Sequence, residues 1–509
     1  MAQAAGCRSD MARIGRGRLA FPGWRALVWP LGLGALMATG QAPLGFWFVT
    51  LPSLALLLRH LAPLPGAAAF WAGWFAGAGY FAVALSWIVS PFLVDVVRHG
   101  WMAPFALILM AFGLALFWAV ATGLAGRSRV PLVALVTGLG AAELARGYVL
   151  TGFPWALIGH VWIDTPAAQI AALVGPSGLT LVTLAAAALA ATLRPLRIGA
   201  AVAILGGLWG FGLWHLAQPD PAFPGVTLRL VQPNAPQKSK WDPEQAQHFF
   251  DRLMIATAAP PQGPDKVDLV IWPETALPYL IEGNPGLPAM IGAAGKGAAV
   301  VVGLQRVEGK RGWNALQVFG PEGQVLATYD KHHLVPFGEY MPFGDLAYDW
   351  FGLTAFAAQA GQAYSAGPGP QVLDLGPHLG TVLPLICYEA VFPQDLRGTA
   401  RANWLMQITN DAWFGTFSGP FQHAAQARLR AVEQGLPLVR VANTGVTEVV
   451  DAKGRVTASL PFGTAGFIDA ALPGALQATP FARFGEWPVL ILLGALAAAL
   501  LIKGRRPVA

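Results

Sequence analysis

The sequence is poor in charge and in cysteine. Charged residues make up 12% of its 509 positions, about half the share usual in a soluble domain. Its two cysteines, Cys7 and Cys387, stand some 380 positions apart, which excludes a disulfide framework and a cysteine-rich zinc site. The net charge of +6 raises nucleic acid as a partner. The basic residues, however, sit mainly between apolar segments and at the two ends, the distribution of a membrane topology. No apolar region precedes Ala4–Cys7, so the N-terminal tail reads as a cytoplasmic lead-in and not as a cleaved signal. What the chain has in quantity is apolar. Hydrophobic residues reach 55% and mean hydropathy is +0.51, so part of it belongs in a bilayer.

Apolar segments fall near 24–41, 43–58, 66–93, 101–125, 130–149, 166–193 and 198–217, with one more near 486–502. The first two are short for a span of ~20 residues and are split by Gly40–Pro43, so they also fit a single hairpin. This divides the chain into a tail (1–23), a seven-span region (24–217), a domain of soluble composition (218–485) and a last span with a basic tail (486–509). Arg8, Arg13, Arg16, Arg18 and Arg25 precede the first span. Arg59, Arg127, Arg129, Arg194 and Arg197 mark later loops of the same side, and Lys503, Arg505 and Arg506 follow the last span. The opposite loops hold Arg98 and Arg146. The alternation predicts cytoplasmic termini and an extracytoplasmic, periplasmic domain. Glu143 reads as the partner of Arg146 three residues on, near the interface, rather than as an intramembrane functional carboxylate. Gly152–Trp155 reads as an outer loop with an interfacial aromatic.

In the soluble stretch, Val226–Pro233 alternates like a strand. Val267–Pro273 and Ala298–Leu304 are near-continuous apolar runs, the pattern of strands buried on both faces. Asn314–Tyr329 reads as a hairpin turning at Pro321–Gly323. Strands follow at Val382–Ile386 and Trp404–Thr409, a helix near Phe421–Gln434, and a hairpin near 446–460. Asp242 is placed to cap a helix. Strands alternating with helices predict a two-layer sheet sandwich flanked by helices.

The chemistry lies in a repetition. Glu274, Lys331 and Cys387 each end a strand and each precede a turn. The ends of neighbouring parallel strands lie side by side, so residues distant in sequence meet there. A thiol must become a thiolate to attack, a carboxylate serves as its general base, and a lysine favours the thiolate and then the oxyanion of a tetrahedral intermediate. The backbone N–H of Tyr388 is a second candidate oxyanion donor. A buried hydrophobe is the plain alternative for Cys387.

The motifs Trp272–Pro278 (WPETALP), Asp330–Pro342 (DKHHLVPFGEYMP) and Cys387–Pro393 (CYEAVFP) resemble the Glu, Lys and Cys motifs of the nitrilase, or carbon–nitrogen hydrolase, superfamily. With seven apolar spans before them and one after, they resemble the apolipoprotein N-acyltransferase family. Lys240–Pro243, Thr409–Gly415 and His423–Gly445 are similar to that family too. The resemblance implies a nitrilase-like α-β-β-α sandwich set between membrane helices seven and eight. It implies Glu274 as general base, Lys331 as triad lysine and Cys387 as nucleophile. Glu339 and Glu389 match further carboxylates that position the lysine and the thiol, and Tyr388 and Trp241 match residues that support the site or its lid. Read from the residues alone, Glu339 and Glu389 form salt bridges with Lys331 or an arginine.

The implied reaction is a two-step acyl transfer with a thioester acyl-enzyme. The donor is a membrane phospholipid, in this family typically phosphatidylethanolamine. The acceptor is the α-amine of the diacylglyceryl-cysteine of an apolipoprotein. The partners are therefore lipids and lipoproteins, no cofactor is implied, and the location is the bacterial inner membrane. No metal is expected, since His332 and His333 occupy adjacent positions, which point apart on an extended chain. Asn410 and Asp411 read as turn-shaping residues. The apolar segment Met341–Ala358 is read either as a lid dipping into the outer leaflet or as a domain-packing loop. Two alternatives use the same sequence. A membrane-tethered amidase would need the spans only as an anchor, and eight exceed that need. A transporter with a degenerate outer domain would need intramembrane ionisable residues or an inverted repeat, and neither stands out.

Overall fold

The computed structural model describes residues 23–263, 266–342 and 363–504. The N-terminal tail with Cys7, Arg505 and Arg506, and the apolar segment beyond Pro342 lie outside the described residues. The N-terminal region is helical: α1 (Arg25–Ala38), α2 (Trp47–Leu61), α3 (Gly66–Ala84), α4 (Val96–His99), α5 (Ala103–Ala125), α6 (Pro131–Arg146), α7 (Ala171–Ala190) and α8 (Pro195–Leu216). Among the described residues, four helical stretches are long and apolar enough to cross a membrane: Gly66–Ala84, Val96–Ala125, Pro166–Ala190 and Pro195–Leu216. α1, α2 and a C-terminal helix at Trp487–Lys503 are shorter apolar helices. Their outward faces carry Leu109, Leu196, Val202 and Ile502, all exposed, as a lipid-facing surface requires.

Lipid offers no hydrophobic drive between helices, so close backbone approach through small residues must hold them. α3 illustrates this. A Cβ added at Gly79 would lie 2.1 Å from the carbonyl oxygen of Leu31 on α1, and one at Gly34 would lie 1.9 Å from that of Ala76. On its other side, Thr122 of α5 donates its hydroxyl to the Ala69 carbonyl at 2.8 Å. Glu143 and Arg146 of α6 do pair, at 2.9 Å, and both are fully buried. Glu143 also accepts from Trp118 Nε1, and Arg146 donates to the carbonyls of Phe153 and Trp155.

The soluble stretch forms two six-stranded sheets. The first has the order β12-β1-β2-β3-β4-β5, with β1 (Thr227–Gln232), β2 (Leu269–Ile271), β3 (Ala299–Glu308), β4 (Arg311–Phe319), β5 (Val325–Asp330) and β12 (Gly466–Ala471). The second has the order β11-β10-β9-β8-β7-β6, with β6 (Leu373–Asp374), β7 (Thr381–Ile386), β8 (Trp404–Thr409), β9 (Leu438–Ala442), β10 (Thr447–Val450) and β11 (Val456–Leu460). β1, β2 and β3 are parallel, as are β7, β8 and β9. Their inner faces meet in one core, Leu230, Ile271 and Val301 against Ile386, Ile408 and Val441. The outer face of the first sheet is covered by α9 (Pro243–Ala258) and α10 (Leu287–Ala294) through Phe250, Leu253 and Ile291. That of the second is covered by α11 (Gly419–Gln434) through Ala427 and Ala431. Alternation explains the split within one strand: Val382 and Ile386 face the other sheet, while Leu383 and Leu385 face α11. The result is the expected α-β-β-α sandwich. Asp242 caps α9 by accepting from Glu244 N–H.

The chain leaves through α12 (Pro480–Phe484) and α13 (Trp487–Lys503). Phe481 of α12 packs into the kink of α7, where Gly175 takes φ +65° and a Cβ would lie 2.1 Å from the ring. The sandwich rests on the helices through polar contacts as well. Trp155 Nε1 donates to Gln422 of α11, and Gln422 Nε2 donates to the Ala84 carbonyl that ends α3. Gln394 donates to Gly147, Tyr388 to Gly152, and Gln169 to the carbonyl of Lys453.

Candidate active site

The three strand ends do converge, but not as neighbours of one parallel sheet. Glu274 follows β2, and Lys331 follows β5. β5 is two antiparallel steps from β3, so it runs in the same sense as β2 and ends on the same edge. Cys387 arrives from the second sheet, at the end of β7. All three side chains are buried.

Glu274 is held at both oxygens. Oε1 accepts from Asn314 Nδ2 at 2.7 Å, and Oε2 accepts from the backbone N–H of Asn410 at 2.8 Å. Close packing underneath fixes its turn, since a Cβ at Gly303 would lie 2.8 Å from Glu274 Cα. Lys331 Nζ lies 3.6 Å from Glu274 Oε1 and donates to Glu339 Oε1 at 2.9 Å. Burial works against the Lys331 ammonium, but Glu339, Glu274 and Cys387 outweigh it and raise its proton affinity, so it stays charged. Asn314 bridges the two carboxylates, donating to Glu339 as well at 3.0 Å.

Cys387 takes φ +53°, a left-handed conformation unusual for a residue with a side chain. It opens a short 3₁₀ helix, Cys387–Val391. Such strain persists where the surroundings over-determine it and gathers at functional sites. Here its carbonyl oxygen is taken by Gln407 Nε2 at 2.9 Å and lies 3.0 Å from His423 Nε2. His423 in turn contacts Asp411, and Arg440 ties Asp411 to Gln407. Burial opposes ionisation of Asp411, but Arg440 and His423 hold its carboxyl down at about 2. Asn410 and Asp411 thus do more than shape a turn. The thiol itself is pushed up by burial and by Glu274, while Lys331 pulls it down. Thiolate formation therefore needs the proton to pass to a base, and Glu274 is beside it.

The supporting carboxylates divide. Glu339 pairs with Lys331. Glu389 does not; it accepts from the backbone N–H groups of His332, His333 and Ile386 and from the Tyr329 hydroxyl. It therefore fixes the lysine loop against the cysteine turn, and its ionic partner is a histidine rather than a lysine or arginine. Nor do the adjacent histidines point apart, because the backbone there is not extended. His332 Nε2 and His333 Nδ1 both approach Asp395 Oδ2, at 3.4 and 2.8 Å. Burial disfavours charge on His332, yet Asp395 and Glu389 raise its pKa to about 9. The group reads as an ion cluster bracing Glu389. Tyr388 packs edge-on against Phe392 with its hydroxyl on the Gly152 carbonyl. Trp241 is half-buried beside Lys240.

Asn314, Gln407, His423 and Arg440 hold the site and were not singled out from the sequence, because polar residues inside strands and helices carry no local signal of where they point. A cavity of about 440 Å³ lies near the site, between the segment after α3 and the outer domain. Trp87, Ser90, Gln237, Lys238 and Phe414 line it.

Known proteins resemble both regions of the chain. The carbon-nitrogen hydrolase family matches residues 227–481, and the apolipoprotein N-acyltransferase N-terminal domain matches residues 33–189. A protein named apolipoprotein N-acyltransferase from Caulobacter vibrioides is 40% identical over 449 residues, covering 83% of this chain and 84% of its own. Proteins of the same name from Rhizobium meliloti and Rhodopseudomonas palustris are 39% and 35% identical, covering 87% and 98% of this chain and 89% and 99% of their own.

Proposed function

The chain belongs to the apolipoprotein N-acyltransferase family, and on that premise we propose how its residues carry the reaction. It is a bacterial membrane enzyme of acyl transfer in lipoprotein maturation. Cys387 is the nucleophile. Its thiol proton passes to Glu274 as sulfur attacks the ester carbonyl of a phospholipid, phosphatidylethanolamine being the expected donor. The Lys331 ammonium and the Tyr388 backbone N–H receive the oxyanion. The ester C–O bond breaks, Glu274 returns the proton to the leaving oxygen, and a thioester and a lysophospholipid remain. The α-amine of a diacylglyceryl-cysteine then attacks the thioester. Its proton passes through Glu274 to the departing sulfur, and the amide forms. A covalent nucleophile divides one hard step into two easier ones.

The observation that carries this reading is the buried contact of Lys331 with both Glu274 and Glu339, beside a cysteine held in a left-handed turn. Glu339, Glu389, Tyr388 and Trp241 are supporting residues. The cavity beside Trp87 and Phe414 receives acyl chains, since it lies between the segment after α3 and the outer domain and has the apolar side chains of Leu93, Val94 and Phe417 in its lining as well. The chain has eight spans, with tail 1–23 and the end of segment 486–509 in the cytoplasm, spans within 24–217, and domain 218–485 in the periplasm.

The test is incubation of the full-length protein with acyl-labelled phosphatidylethanolamine. The expected result is one acyl chain on the Cys387 peptide, by mass spectrometry, and its passage to a diacylglyceryl lipopeptide on addition. Release of free fatty acid without transfer would favour the amidase-like alternative. For the topology, Lys310→Cys in a Cys7→Ala, Cys387→Ala background should react with an impermeant thiol reagent in intact spheroplasts. Protection until lysis would refute the span count.

A further inference from the structure

Two carboxylates and one ammonium, Glu274, Glu339 and Lys331, meet in the buried site. That leaves one negative charge unbalanced where an unpaired charge is expensive. A second ammonium stands beside them. Lys240 is 4% exposed. Its Nζ donates to the main-chain oxygen of Glu274 at 3.3 Å and to Thr275 Oγ1 at 2.8 Å. Thr275 takes φ +44°, so the turn that presents Glu274 is strained and needs an outside tie. Lys240 supplies it from the segment that also carries Gln237, which accepts from Asn410 Nδ2 at 2.8 Å. Asn410 is the residue whose backbone N–H holds Glu274.

We propose that Lys240 is a positioning residue for the general base, its ammonium tying down the Glu274–Thr275 turn and balancing the charge of the buried site. It acts through the main chain and through its field. Among the groups acting on Lys240, Glu274 is the charged one. Burial lowers the ammonium to about 8, with Glu274 opposing. The sign follows: the charge is present below pH 8 and fades above it. This inference rests on the acyl-transfer reading.

The test compares wild type, Lys240→Gln and Lys240→Arg in single-turnover acylation by labelled phospholipid without amine acceptor, from pH 6.5 to 9.5. Glutamine keeps a donor and drops the charge; arginine keeps the charge. Acylation by Lys240→Gln should be about tenfold slower than wild type at pH 6.5, the scale of one pKa unit. The gap should close above pH 8, where wild-type Lys240 has itself lost its proton. Lys240→Arg should keep the wild-type shape of the pH profile, even at a lower rate. A gap constant across pH, or an arginine variant shaped like the glutamine one, overturns the proposal. If Lys240→Gln does not accumulate, the wild type and Lys240→Arg still decide it: wild-type acylation must fall through pH 8 and that of the arginine variant must not. Absence of acylation in wild type would sink the acyl-transfer reading instead.

Discussion

The helical region and the sandwich are built on opposite policies towards polar groups. In the helices, ionisable side chains are scarce, and the pair that is fully buried, Glu143–Arg146, is closed by Trp118 and by backbone carbonyls. Cohesion comes from small residues that let backbones touch, as at Gly34 and Gly79. In the sandwich, the sheets meet over a largely apolar core, yet its edge collects Glu274, Lys331, Lys240, Glu339, Glu389, Asp411, His423 and Arg440, all buried. Each member of the Glu143–Arg146 pair has the other as its charged partner, and its further contacts are to neutral groups. Polar groups arranged for chemistry share partners, so that Lys331 serves two carboxylates and Asn314 bridges the same two.

Substitutions can break that contrast. The largest effect is expected at the proposed nucleophile. Cys387→Ser should insert and fold but form no acyl-enzyme, because a hydroxyl is far harder to deprotonate than a thiol with a pKa near ~8.5. Mass spectrometry after incubation with phospholipid reads it, and a fully active variant would end the covalent mechanism. Next is Lys331→Arg. A planar fork cannot take the place of a compact ammonium between two carboxylates, and a displacement of about 1 Å costs on the order of 10²-fold in rate. Single-turnover acylation should fall by about that much at unchanged protein level; retention of most of the rate would make Lys331 a distant charge.

The helical half should respond in the other currency, stability. Gly34→Ala places a methyl 1.9 Å from the Ala76 carbonyl oxygen. Overpacking of this kind costs about 1–3 kcal/mol, so thermal unfolding in detergent should shift down while acylation per folded molecule stays within about twofold. Equal loss of both would mean that the helices do more than support. The smallest effect is expected at His332. Its folded pKa of about 9 lies above the usual 6.5, through Asp395 and Glu389 and against burial. The stabilisation is therefore fully present below pH 6.5 and lost as pH rises through 9. Wild type should lose more thermal stability between pH 6.5 and 9.5 than His332→Gln; parallel curves would show that the ring is neutral.

Much of this was legible beforehand, and the boundary is instructive. Buried strands such as Thr381–Ile386 and Trp404–Thr409 announce themselves as apolar runs, and the triad by its place at their ends. The helix expected near 421–434 runs from Gly419 to Gln434, and both hairpins appear. What stayed hidden depends on pairing between distant segments. β12 joins β1 across nearly the whole domain, and its short, partly exposed run gives no warning. The two sheets that supply Glu274, Lys331 and Cys387, and the bend that brings His332 and His333 onto one carboxylate, are likewise tertiary facts. Lys240 gives no signal of its own, because a lysine in a polar stretch such as Lys238–Asp242 looks solvated until its burial is known.

Trp155 and Ala84, the two points on which Gln422 rests, have a consequence for biogenesis. Both belong to helices and loops made early in translation, whereas Gln422 and its neighbour His423 emerge more than 250 residues after Trp155. The support of His423, whose Nε2 lies 3.0 Å from the Cys387 carbonyl oxygen, therefore comes from residues that precede it in synthesis. A domain excised at residue 218 would carry every triad residue and still lack the tryptophan that stacks on His423 at 5.5 Å. The outer domain thus rests on residues made well before it, and its excision would remove that support.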